Sequence, residues 1–381
     1  MKRDSARYGR VHNLDAVLVL EDGSHFSGEP FGAIRDAEAE VVFNTCMTGY
    51  QEITTDPSYR GQMVCMTYPL IGNYGVNEDD SESRRPWVSG LIVREMVSAY
   101  SNWRAVQDLS SWLERNNIPA IGGVDTRALT RRLRSTGTMR GILTINTGAL
   151  DIDALTNRAR DIKSLGEQDL VTDASIEKSY IYPVGDHPSA GRPRIVVLDC
   201  GIKNNILRSL GRRGVDMHVV PHIATAGEIM ALGPEGIVVS NGPGDPSSLG
   251  PIVQTVRALM DSGTPMLGIC LGHQLIGLAA GGTTSRLRFG HHGGNHPIKD
   301  LRDGLVHITS QNHEFQVDRA SLQADAGVVV SQVNLNDQSV EGLRHLTRPV
   351  FSVQYHPEGA PGPQDNQYVF DRFLDLVGVR A

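Results

Sequence analysis

Pro265-Met-Leu-Gly-Ile-Cys-Leu-Gly-His-Gln274 carries an apolar run to a cysteine with a glycine two residues away on each side, and a second apolar, helix-compatible run, Leu271 to Ala280, follows at once. This pattern predicts a strand, a tight turn and a helix, with Cys270 at the turn. A nucleophile on such a turn is pushed out of the sheet, and the start of the helix adds unpaired N–H groups and positive partial charge. That environment favours thiolate, the reactive form. Gly268 and Gly272 are expected to clear the approach to the sulfur. A lone cysteine after an apolar strand reads more simply as core, since free cysteine is among the most buried residue types. The glycines on both sides, placed between strand and helix, turn the reading toward a nucleophile.

The residues around this turn define its domain. Ile195–Asp199, Val215–Val220, Gly236–Ser240 and the run into Cys270 read as buried strands. They alternate with helical patterns at 204–213, 226–232 and 252–262. Continuous apolar strands alternating with helices predict a doubly wound, mostly parallel α/β sheet, with ligands at the carboxyl ends of its strands. Residues 194–381 are assigned to this domain. Residues 151–193 loosen into a helical piece, 152–165, and a Pro/Gly-rich stretch, Tyr180 to Pro193, read as an interdomain linker. Residues 1–150 read as a mixed, β-rich domain. There a hairpin is expected around Glu21-Asp-Gly-Ser24, with strands at 40–45 and 62–67 and a polar loop at Met47–Tyr59. Helices are expected from Trp103 to Arg115, with Val106, Leu109, Trp112 and Leu113 on one face, and from an Asp125 cap to Gly137. Arg127, Arg131, Arg132 and Arg134 on the second helix form either a solvated face or a docking face.

Composition narrows the function. The chain has 381 residues, 40% hydrophobic and 21% charged, which suits two globular domains with full cores. Net charge is −7 with the signs interspersed, unlike a nucleic-acid binder with its basic stripe. No run is long and apolar enough for a signal peptide or a membrane span, so a cytoplasmic location is expected. The four cysteines, Cys46, Cys65, Cys200 and Cys270, lie far apart, as in a reducing compartment without structural zinc.

Four further segments bear on chemistry. Ser240-Asn-Gly-Pro-Gly-Asp-Pro246 exposes backbone N–H groups with little side-chain cover; it is either a plain turn or, beside a nucleophile, an oxyanion site shared with the N–H of Leu271. No phosphate loop is present. Val350-Phe-Ser-Val-Gln-Tyr-His-Pro-Glu358 ends a strand at His-Pro-Glu. Residues i and i+2 of an extended segment share a face, so Glu358 can hold one nitrogen of His356 while the other meets the thiol. Phe289-Gly-His-His-Gly-Gly-Asn-His296 places three histidines within six residues without the carboxylate or thiolate spacing of a metal site, and reads as a glycine-rich shaping or interface loop with no metal. Gln311-Asn-His-Glu-Phe315 reads as a polar turn, where Asn312 could bind an amide and Phe315 form an apolar wall.

Together these residues resemble the class I (triad) glutamine amidotransferases. Val41-Val-Phe-Asn-Thr45, Met47-Thr-Gly-Tyr-Gln-Glu52, Asp125-Thr-Arg-Ala-Leu-Thr130, Phe289-Gly-His-His-Gly-Gly-Asn-His-Pro297 and Gln311-Asn-His313 narrow the resemblance to the carbamoyl-phosphate synthase small-chain family. The resemblance spans essentially the whole chain. It implies that Cys270 attacks the amide carbon of L-glutamine, His356 passes the proton to departing ammonia and Glu358 orients His356. Gly242 and Leu271 would supply oxyanion N–H groups. Gly244, Gln274, Asn312, Phe315, Cys46 and Glu314 would line the glutamine site. Ammonia would pass to a large chain that uses bicarbonate, ATP and Mg to make carbamoyl phosphate for arginine and pyrimidine synthesis. A heterodimer with that chain is implied, contacted by the N-terminal domain, with no cofactor on this chain.

Two positions depart from the family pattern. Cys46 stands where the family usually has serine, a better donor. Glu314 stands where glycine is common, and its carboxylate would repel the substrate's own unless the side chain turns away and only its backbone is used. Two other readings are compatible with parts of the chain. One is a triad amidotransferase serving another synthetase, against which the long N-terminal domain speaks. The other is a weakly catalytic assembly or regulatory module, motivated by Cys46 and Glu314.

Overall fold

The computed structural model describes residues 15–146, 150–183, 191–322 and 327–378. The chain divides into two compact units, Met1–Glu167 and Gln168–Ala381.

In the first unit seven strands close into a barrel, in the order Asp15–Leu20, His25–Gly32, Pro119–Gly122, Gly90–Ile92, Gln62–Met66, Ala37–Asn44 and Met139–Asn146. The Asp-Gly turn closes the first hairpin, with Val19 opposite His25. Ala37–Asn44 pairs parallel with Gln62–Met66, which needs a crossover between them. The polar stretch at Met47–Tyr59 supplies it, as a helix, Tyr50–Thr55, and a 3₁₀ turn, Pro57–Tyr59, rather than as a surface loop. Tyr50, Ile53 and Tyr59 are buried, packed with Val42, Val64 and Leu91 from the barrel wall.

The helix expected from Trp103 begins only at Leu109, because the Asp108 carboxylate accepts the Ser111 N–H at 2.8 Å and caps it there. Trp103 and Val106 therefore stay outside it, 92% and 61% exposed. Leu109 and Leu113 are fully buried, each worth about 1.5–3 kcal/mol. The second helix, Thr126–Thr136, has the expected Asp125 cap, which accepts the Ala128 N–H, and ends at Gly137. Of its arginines, Arg132 pairs with Asp22.

The second unit is built on a ten-stranded sheet. Its parallel part is Asp216–Pro221, Arg194–Asp199, Gly236–Val239, Met266–Ile269 and Val350–Val353, in that spatial order. The remaining strands run antiparallel to their neighbours, with Tyr180–Tyr182 at one edge. Beyond Val350–Val353 come Val340–His345, Val328–Asn334, Thr284–Asp300 and Val306–Val317 at the other edge. The sheet is thus mixed rather than mostly parallel. The central strands are buried on both faces. Val196 and Leu198 pack with Val256, Leu259 and Leu275, whereas Ile195 and Val197 pack with Ile206, Leu210 and Phe370. Helices therefore cover both faces, the doubly wound arrangement.

The described part of 151–183 is built of elements rather than open chain. Ile152–Arg160, capped by Asp151, packs on Asp15–Leu20 and Met139–Asn146 of the barrel. Val171–Ala174 joins the core of the second unit, and Tyr180–Tyr182 joins its sheet. Residues 184–190 of the Pro/Gly-rich stretch, like residues 1–14 where a signal peptide was sought, lie outside the described residues. Among the described residues no helix is long and apolar enough to cross a membrane.

Candidate active site

Cys270 sits between the strand Met266–Ile269 and the helix Leu271–Ala279, at φ 53° and ψ −103°. Positive φ at a residue with a side chain costs on the order of 1–3 kcal/mol and persists only where its surroundings impose it. Here the Cys270 N–H donates to the Val353 carbonyl at 2.9 Å and the Gly272 N–H donates to the Ser240 carbonyl at 3.0 Å, pinning both sides of the turn to neighbouring segments. The flanking glycines serve this close packing rather than the approach to sulfur. A Cβ on Gly272 would fall 2.1 Å from the Val239 carbonyl oxygen, and one on Gly268 would fall 2.6 Å from that of Gly272. The Cys270 sulfur is buried and lies 3.6 Å from the Asn312 carbonyl oxygen.

The Ser240–Pro246 loop closes against this turn. The Ser240 hydroxyl accepts the Cys200 N–H at 2.9 Å, and the Asn241 side-chain oxygen accepts the Lys203 N–H at 3.1 Å, tying together two loops at neighbouring strand ends. Gly242 is wedged between them: a Cβ there would meet the Cys200 carbonyl oxygen at 2.2 Å and the Leu271 side chain at 2.9 Å. Gly244 needs its glycine for a φ of +93°. At the helix start the N–H groups of Cys270, Gly272, His273 and Gln274 all have backbone acceptors. That of Leu271, with no carbonyl one turn behind it in the helix, has no backbone acceptor among the described residues and is a donor available beside the sulfur.

His356 follows the strand Val350–Val353, and its N–H is held by the Ser310 carbonyl at 2.8 Å. Its Nδ1 lies 2.7 Å from Glu358 Oε1, the same-face pairing expected of His-Pro-Glu. Both side chains are almost wholly buried. Burial alone would lower the pKa of His356, but the Glu358 carboxylate and the Cys270 sulfur beside the ring raise it to about 10. Burial would likewise raise Glu358, yet Lys203 and His356 hold it down at about 2. The shift favours the protonated ring, and its Nε2, with no other hydrogen-bond partner among the described residues, is left for the Cys270 sulfur. Lys203 is the member that motif reading missed. Its side chain is 2% exposed and its Nζ reaches Glu358 Oε1 at 2.8 Å. A lysine next to a helix start normally reads as a solvated cation, so only the fold reveals this one.

Gln311–Phe315 is not a turn but the middle of the strand Val306–Val317, and the histidine-rich segment is not a loop but part of its partner, Thr284–Asp300. Glycines and histidines hid a strand whose central residues, Gly290 to Gly293, are buried. Gln274, on the helix that begins after Cys270, donates its side-chain N–H to the Phe315 carbonyl at 2.8 Å and so fixes this strand to the nucleophile's helix. The backbone of Asn312 faces the sulfur, while its side chain lies 3.0 Å from His292 Nδ1. Glu314 does turn its side chain into a partnership, with His292 at 2.8 Å and Arg286 at 3.2 Å. It is buried there rather than directed outward. Cys46 belongs to the first unit, buried, with its N–H donating to the Asn44 side-chain oxygen at 2.7 Å.

The histidine cluster does acquire a carboxylate that spacing could not reveal. His291, His313 and Glu341 each place one possible ligand atom within 4.8 Å of the others. Most of these groups are engaged with protein. His313 contacts the Phe315 carbonyl and the Gln311 side chain, Glu341 accepts from Asn334 and Gln311, and His291 Nε2 lies 2.9 Å from Asp337. Burial alone would lower His291, but Asp337 and Glu341 hold it up at about 9. The residues form a hydrogen-bonded wedge between strands.

Comparison with known proteins agrees with this geometry. Residues 18–143 match the family model for the CPSase domain of the carbamoyl-phosphate synthase small chain, and residues 196–376 match that for class-I glutamine amidotransferases. The chain is 50% identical to a carbamoyl phosphate synthase small chain of Symbiobacterium thermophilum, over 95% of this chain and 98% of that one. It is 47% identical to the small chain of Aquifex aeolicus, with the same shares covered. Against the pyrimidine-specific small chain of Bacillus subtilis it is 46% identical, over 94% of this chain and 95% of that one. A barrel unit joined to a doubly wound unit with a cysteine on a strained turn, matched along nearly its full length at such identity, belongs to the carbamoyl phosphate synthase small-chain family.

Proposed function

We propose that Cys270, His356 and Glu358 hydrolyse L-glutamine through a thioester, and that the ammonia released feeds a separate large chain that makes carbamoyl phosphate. The observation that carries this reading is the strained turn at Cys270 beside a buried histidine, His356, held at 2.7 Å by the Glu358 carboxylate. The sulfur attacks the amide carbon as thiolate, and the N–H groups of Leu271 and Gly242 receive the oxyanion. The tetrahedral intermediate collapses with C–N cleavage, and His356 donates its proton to the departing nitrogen, leaving a γ-glutamyl thioester on Cys270. Water, deprotonated by His356, then attacks the thioester carbon. A second collapse releases glutamate and returns the thiolate–imidazolium pair. Glu358 holds His356 in one orientation and tautomer throughout.

The strand around Asn312–Phe315, with Gln274 and Gly244, forms the glutamine pocket. ATP and Mg are assigned to the large chain. The barrel unit is assigned to large-chain contact in a heterodimer. The test is ammonia release from glutamine by the purified chain, alone and with its large chain, bicarbonate and ATP. Stimulation by the large chain with carbamoyl phosphate formed supports the reading; hydrolysis unaffected by the large chain points to another acceptor.

A further inference from the structure

Glu314 is set between two basic groups of the neighbouring strand, Arg286 and His292, which lie six residues apart on it. Here Arg286 pairs with Phe315 and His291 with His313, so five steps along one strand match two along the other. The bulge between them carries Arg286 and His292 to either side of Glu314. The close fit is visible at Gly290, where a Cβ would fall 2.4 Å from His292 Nε2 and 2.7 Å from Glu314 Oε1. Burying a carboxylate this deeply is costly unless it is paired, so these contacts are its reason for being ionised there. Burial would raise the Glu314 pKa, and His292 and Arg286 bring it below the ordinary range. An ionised carboxylate and an amide oxygen can only accept, so His292 donates from both ring nitrogens, Nε2 to Glu314 Oε1 at 2.8 Å and Nδ1 to Asn312 Oδ1 at 3.0 Å. Asn312 and Glu314 are two apart on one strand, share a face and are bridged by the same ring. The Asn312 carbonyl, on the backbone so held, is the group 3.6 Å from the Cys270 sulfur.

We propose that Glu314 is a positioning residue for glutamine: through His292 it fixes Asn312 and the strand rim beside Cys270, without touching substrate through its carboxylate. This rests on the glutaminase reading above. The test uses the complex with the large chain and compares wild type, Glu314→Ala and Glu314→Gln in glutamine-dependent and ammonia-dependent synthesis. Glu314→Ala raises KM for glutamine about tenfold or more, the scale of one lost charge-assisted hydrogen bond, with a smaller change in kcat. Glu314→Gln, which can still offer a carbonyl oxygen to His292, recovers most of that loss. Ammonia-dependent synthesis is unchanged in both. If Glu314→Ala does not assemble, Arg286→Met reads the same relay from its outer end, with a smaller rise in KM and kcat retained. An unchanged or improved KM in Glu314→Ala, or in Arg286→Met where that variant is the one measured, overturns the proposal. So does a Glu314→Gln variant as impaired as alanine. A wild-type complex that releases no ammonia from glutamine would instead remove the reading on which the relay rests.

Discussion

Lys203 and His356 meet on the same oxygen of Glu358, at 2.8 and 2.7 Å. Two cations on one buried carboxylate keep it ionised, and the carboxylate in turn keeps the imidazole charged. Removing one partner of such a pair leaves an uncompensated buried charge, so Lys203→Met is expected to destabilise the second unit by about 3–5 kcal/mol. Glu358 has a folded-state pKa of about 2 against an ordinary 4.5, so its contribution is present above pH 4.5 and is lost as pH falls toward 2. Without Lys203 that carboxylate titrates higher, and acid destabilisation begins at higher pH. Denaturant unfolding at several pH values checks both points; a variant as stable as wild type would contradict them.

The imidazolium sets the alkaline limit of catalysis. His356, held at about 10, keeps the proton needed by departing ammonia through neutral and mildly alkaline pH and loses it as pH rises through that value. Glu358→Gln removes the carboxylate that raises it. The alkaline fall in kcat is expected to move down by at least about one pH unit, with a much lower plateau. A fall at the wild-type pH would assign that limb to another group.

Two glycines test the account of the turn. Gly272→Ala drives a Cβ into the Val239 carbonyl, with the helix start and the neighbouring strand both pinned, and is expected to cost about 3 kcal/mol or more and to abolish glutaminase activity. Gly227 lies in the helix Ala226–Ala231 with nothing within 4 Å of its would-be Cβ. Gly227→Ala should therefore stabilise, by about 0.5–1 kcal/mol. Thermal unfolding of the two variants gives opposite signs if the packing is as described.

What could be read from sequence was what local chemistry specifies. The strand–turn–helix at Cys270, the His-Pro-Glu strand end, and the Asp125 and Gly137 caps each act within a few residues and appear in the structure as expected. The glycines beside Cys270, by contrast, serve packing against Val239 and the turn rather than access to the sulfur. What was missed depends on partners far along the chain. Lys203 is tied to Glu358 across 155 positions. Tyr50–Thr55 is a buried helix because parallel strands need a crossover, although its residues look like a loop. The Gly290–Gly293 and Gln311–Phe315 segments are strand because they pair with each other across a bulge, against their local composition. Residues 151–183 read as part of a linker because their elements are short, yet Ile152–Arg160 packs on the barrel and Tyr180–Tyr182 joins the second sheet.

The thioester on Cys270 is the claim on which the rest depends. With isotopically labelled glutamine, the chain and its large chain are quenched in acid during turnover, and the Cys270 peptide is weighed by mass spectrometry. The account predicts one labelled glutamyl group on Cys270, absent in Cys270→Ser, which also loses glutamine-dependent synthesis while keeping the ammonia-dependent reaction. Steady glutamine-dependent turnover by Cys270→Ser, or a glutamyl group on any other residue, would contradict it.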